Sequence, residues 1–145
     1  MKSILFLLIG LSISYSTFDA IAYARRYCKV YNSDYDNYYG SDNANFVSQC
    51  LISGGQTLEG CIGLDSKGSI PNISDLKSCL TQKGWKSQIG YTNKFKAGYP
   101  FFTNNVDAML ATIVIEKDIR FCGHTGDRCD KQTSGDQYTY FYLDK

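Results

Sequence analysis

The sequence is short of residues that several common chemistries need. It holds a single histidine, His124, among 145 residues. No C-x2-C pair occurs either, so a zinc site on the usual Cys/His spacings is excluded. Acidic residues are scattered through 32–42, but the glycine and closing glutamate of an EF-hand loop are missing. No metal and no cofactor are called for. An excess of charge is absent as well, with 15 Lys+Arg against 14 Asp+Glu. Without a basic stripe there is no general pull on phosphate backbones or anionic lipid, so nucleic acid is not an expected partner. No apolar run reaches the roughly 18 residues of a membrane helix. Prolines number two, and no linker or repeat is visible, so the length allows one domain. At 43% hydrophobic and 14% aromatic residues, the chain is too apolar for disorder.

What is present begins with an export signal. Residues 1–16 start with Lys2, run apolar from Ile4 to Leu11, and place Ser14 and Ser16 at the −3 and −1 positions of a cleavage site. The expected organisation is a signal peptide over 1–16 and one domain over 17–145. The destination is the extracellular space or a lumen such as a lysosome or phagosome. Six cysteines follow: Cys28, Cys50, Cys61, Cys79, Cys122 and Cys129. An even number in a small exported chain reads as a disulfide set. The pairing stays open among 15 possibilities, with a local Cys122–Cys129 bridge around a six-residue loop as one. Asn72-Ile73-Ser74 is a glycosylation sequon, and if the host glycosylates it that loop must be exposed.

Hydrophobic spacing predicts three helices. Residues 18–31 put Ile21, Ala24, Cys28 and Tyr31 on one face, with Thr17 and Asp19 suited to the start. Residues 43–53 place Phe46, Val47, Cys50 and Leu51 together, with Asp42 at the cap and Gly54-Gly55 as a stop. A third helix is expected over 74–82, capped by Ser74. The remainder reads as β structure: 99–103, the apolar run 110–115, 119–122, and 138–143. The predicted fold class is α+β, with N-terminal helices packed on a small antiparallel sheet of three or four strands, stapled by disulfides.

Five segments in this order, IAYARRY, YNSDY, DNANFVSQCLISGG, HTGDR and YTYFYL, resemble the Putative amidase domain family. These are papain-like cysteine hydrolases similar to bacterial cell-wall peptidases. The resemblance implies a papain-like arrangement of the helices and sheet. It also implies a thiolate at a helix N-terminus, a histidine base on a facing strand and a third polar residue that orients it. The family pattern D-C-x-N-F aligns with Asp42-Asn43-Ala44-Asn45-Phe46, so Asn43 stands where the nucleophile is expected. The pattern H-x-x-I-V puts Leu110 at the base position, and His124 falls at the third. Neither an amide nor an isobutyl group can do the missing work. The expectation is an amidase-like domain that has lost catalysis and binds a peptide, glycopeptide or protein in the former cleft.

Candidate cleft residues are Asp42, Asn45, Gln49, Trp85, His124, Asp127 and Arg128. Tyrosines 35, 38, 39, 91 and 99 offer further aromatic faces for a sugar or peptide. Two alternatives stand beside this reading. One is a disulfide-stapled effector that binds another protein through its surface. The other is a residual hydrolase using Cys50 and His124, although a thiol on an apolar helix face is normally inert. Sequence leaves the oligomeric state open.

Overall fold

Residues 43–53, NANFVSQCLIS, carry no charged side chain, and in the computed structural model they form helix α2 (Asn43–Ser53) with every residue from Asn43 to Leu51 buried. A helix enclosed on all sides must find a partner for each polar group it carries, and that demand shapes the rest of the domain. The structure describes residues 14–134 and 137–144. Residues 1–13 of the expected leader lie outside that range.

Helix α1 (Thr17–Tyr27) is capped by Ser16, whose hydroxyl accepts from Asp19 N, rather than by Thr17. Its buried stripe is Ala20, Ala24 and Cys28, small residues that let it lie close against α2. The expected face ending at Tyr31 is corrected. Asn32 turns the chain, accepting from Asp34 N at 3.0 Å, and Tyr31 lies past the helix end, 40% exposed. Helix α3 (Ile73–Gln82) is capped by Asn72, whose side chain accepts from Asp75 N, two residues earlier than the expected Ser74.

The sheet has six antiparallel strands: β1 (Lys86–Ile89), β2 (Pro100–Thr103), β3 (Asp107–Ile115), β4 (Asp118–Gly123), β5 (Arg128–Ser134) and β6 (Thr139–Tyr142), in the order β1-β6-β2-β3-β4-β5. The fold class is α+β. Two more strands form than expected, and both are edges: β1 is exposed along its length and β5 is nowhere fully buried. Helix α2 packs on β3 and β4, and α1 on β3, β4 and β5. The core is rich in aromatic edge-to-face contacts; Phe95, Phe101 and Tyr140 lie mutually within 5.8 Å between ring centroids.

Two disulfides form, Cys28–Cys129 and Cys61–Cys79. The local Cys122–Cys129 bridge is not made. Strand pairing carries Cys122 wholly into the core, while Cys129 on the next strand meets the end of α1 at Cys28. Cys50 and Cys122 remain as buried thiols. Among the described residues no helix is long and apolar enough to cross a membrane.

Candidate functional site

The polar side chains of the α2 motif point into the domain and fasten loops to it. Asp42 Oδ1 accepts from Tyr38 N and from Asn45 Nδ2, both at 2.9 Å. With both carboxylate oxygens engaged, Asp42 makes no capping bond to α2 although it stands at the cap position. Asn45 Nδ2 also donates to the Asp36 carbonyl at 2.8 Å, and its Oδ1 accepts from Ser69 Oγ. Ser48 Oγ donates to the Asn45 carbonyl and accepts from Ile70 N at 3.0 Å. Gln49 Oε1 accepts from Tyr23 OH at 2.7 Å. Asp65 ties the same loops, accepting from Tyr38 OH at 2.9 Å and from Lys67 N and Ser69 N. Burial works against its ionisation, but these hydrogen bonds prevail and hold its carboxyl below the usual range.

His124 is part of this internal framework. Its Nδ1 meets Asp42 Oδ2, and its Nε2 donates to the Tyr27 carbonyl at 2.6 Å. The ring stacks on Phe46 at 4.0 Å, and the side chains of both pair members are only 2% exposed. A carbonyl oxygen can only accept, so Nε2 carries a proton; Nδ1 and the carboxylate then share another. Wherever that shared proton sits, neither nitrogen keeps a lone pair free for a substrate.

A cleft of about 310 Å³ opens at the N-terminal end of α2. Asn43 and Ala44 line it, together with Gly40 and Ser41, residues 71–74 at the start of α3, Asn105 and Val106 of the β2–β3 turn, and Thr125. Thr125 Oγ1 donates to Asn43 Oδ1 and lies 3.5 Å from Asp107 Oδ1. Asp107 is gripped by Arg128, whose Nη2 donates to both carboxylate oxygens at 3.1 and 2.8 Å while the guanidinium lies over the Phe121 ring at 4.8 Å. A polar chain therefore runs Asn43, Thr125, Asp107, Arg128. Gly123 leaves the space for the arginine: a β-carbon there would come within 3.0 Å of Arg128 Nη2.

Of the residues singled out in the sequence, Asn43 lines the cleft and Arg128 stands one partner removed from it. Asp42, Asn45, Gln49 and His124 are buried framework rather than cleft residues, because each is buried and is hydrogen-bonded to partners inside the domain. Trp85 is also internal, donating to Gln56 Oε1 at 2.7 Å and packed edge-on to Tyr99. Asp127 is exposed in the β4–β5 turn with a left-handed backbone, φ 47°. Leu110 is fully buried in the core, paired across the sheet with Pro100 and Cys122. Asp107, three positions earlier at the start of β3, is linked to the end of α2 only through Thr125. Neither Asp107 nor Thr125 was anticipated, although the polar turn before the apolar run and the residue beside His124 mark where they lie.

Cys50 is inaccessible. Burial, with Cys122 alongside, pushes its thiol pKa well up. Asn72 is exposed at the cleft rim; its Oδ1 caps α3.

Residues 14–107 match the family described as Putative amidase domain. No curated protein and no solved structure matches the chain.

Proposed function

This chain belongs to the Putative amidase domain family, and on that footing we propose that it is a secreted binding protein rather than a hydrolase. The observation that carries the proposal is the state of His124. The sole histidine of the chain is locked between Asp42 and the Tyr27 carbonyl, with no lone pair facing the cleft. Asn43, at the position where the family resemblance places a thiolate, holds a hydrogen bond from Thr125 and supplies no nucleophile. A hydrolase built instead on Cys50 and His124 finds no support, since the thiol is enclosed and the ring has no free nitrogen.

What remains suits recognition. The cleft offers the amide of Asn43, the hydroxyls of Ser41, Ser74 and Thr125, and the apolar faces of Pro71, Ile73 and Val106. Two helices, α2 and α3, also begin there, an arrangement that favours acidic groups over basic ones. Its volume is at the lower end of small-ligand sites. A short peptide or glycopeptide with a free carboxylate, as in cell-wall fragments, fits that lining.

The test is direct. The purified domain is incubated with a panel of cell-wall-type peptides and amides, and both turnover and heat of binding are recorded. Binding without turnover is expected, together with weakened binding of carboxylate-bearing peptides when the exposed cleft residue Val106 is replaced by Asp. Asn43→Cys alone is expected to restore no amide hydrolysis, because no base faces position 43. Turnover by that variant or by the parent chain would refute the proposal.

A further inference from the structure

The domain begins before the point at which the −3/−1 rule first suggests the leader ends. Tyr15 OH donates to the Gly98 carbonyl at 2.6 Å, and the ring sits edge-on to Trp85 at 5.2 Å and beside Tyr99 at 6.3 Å. Ser16 N donates to the Gly54 carbonyl at 2.7 Å, and the Ser16 hydroxyl and carbonyl start α1 by accepting from Asp19 N and Ala20 N. The neighbouring backbone is shaped around these residues. A β-carbon on Gly54 would lie 2.5 Å from the Tyr15 ring and 2.9 Å from the Ser16 carbonyl oxygen, and one on Gly98 would lie 2.5 Å from Thr17 Cβ. Residues 15–17 thus thread a slot that two glycines leave open. The family match independently starts at residue 14.

We propose that the leader is cut ahead of Tyr15, at the Ser14–Tyr15 or Ser12–Ile13 bond, so that the secreted chain keeps Tyr15 and Ser16. Both bonds satisfy the small-residue requirement at −3 and −1, with Ser12 and Ser14 for one and Gly10 and Ser12 for the other. A host signal peptidase hydrolyses the bond with one water, leaving a carboxylate on the leader and an ammonium on the new first residue. Cleavage after Ser16 would remove the aromatic anchor and the cap together. It would also create an ammonium at Thr17, the first residue of α1, where the helix end is already positive.

The proposal rests on the reading of residues 1–16 as an export signal, and the experiment separates the two. The full chain is expressed in a eukaryotic secretory host, and the protein recovered from the medium is sequenced from its N-terminus and weighed. A first residue of Tyr15 or Ile13 supports the proposal. A first residue of Thr17 overturns it while sparing the export reading, and an uncleaved chain overturns both. A second measurement uses chains made to start at Tyr15 or at Thr17 and refolded in a thiol–disulfide buffer. The shorter chain is expected to melt roughly 5 °C lower or more. Gly54→Ala should lower the melting temperature of the longer chain. In the shorter chain it should raise it, because alanine suits the helical φ of −75° once Tyr15 and Ser16 are gone. The same sign in both chains would overturn the anchoring role.

Discussion

Replacing His124 by alanine should wreck stability rather than chemistry, and the size of the loss can be worked out. The substitution leaves the Asp42 carboxylate in a site where its side chain is 2% exposed, with Tyr38 N and Asn45 Nδ2 as its remaining donors. It also removes the ring stacked on Phe46. Taking one partner from a buried pair costs about 3–5 kcal/mol, a large part of the ~5–15 kcal/mol that holds a domain together. In melting temperature that is a fall of about 10 °C or more for a chain of this size. Changing Asp42 to Asn in the His124→Ala background should recover part of the loss, since a neutral amide needs no counter-charge. Urea unfolding of the parent, the two single variants and the double variant at neutral pH measures both quantities. A cost for His124→Ala below about 1 kcal/mol, the scale of a surface pair, would refute the account of His124 as framework.

Two other outcomes follow from the same geometry. An alkylating reagent should label two thiols, Cys50 and Cys122, in the denatured unreduced protein and neither in the folded one, because both are buried and burial raises their pKa; four free thiols or none would contradict the observed pairing. The Asp65 carboxyl is held below its usual range, so its contribution is present above an unfolded pKa near 4 and is lost as pH falls through the lower folded value. Asp65→Asn should therefore flatten the acid side of a stability–pH profile between about pH 5 and 2, and an unchanged slope would count against those hydrogen bonds.

The sequence carried the helices well because their apolar spacing is strong: Phe46, Val47, Cys50 and Leu51 are all buried where the pattern puts them. Strands β1 and β5, KSQI and RCDKQTS, escaped notice because edge strands need no apolar face, and their backbone pairing leaves no mark in side-chain chemistry. The site was legible in place but not in detail. The family motif located the end of α2, yet its polar residues read as ligand contacts when most of them brace loops. Nothing in a linear pattern tells a buried asparagine from a cleft asparagine. That distinction between Asn45 and Asn43 is made by Asp36 and Ser69, distant in sequence from the helix they clamp. Leu110 lies in the apolar run that β3 sends into the core, whereas the polar start of the same strand, Asp107, contacts Thr125 beside the cleft, and no apolar pattern marks that position.

The place of β6 has a consequence for how the protein is made. This last strand fills the slot between β1 and β2, pairing with both. During synthesis β1 has no strand partner and one side of β2 stays open until β6 arrives. The nascent chain therefore presents two unsatisfied strand edges to whatever surrounds it. A chain that stopped ahead of Thr139 would still contain all four cysteines of the two disulfides, Cys28–Cys129 and Cys61–Cys79, while leaving those edges bare.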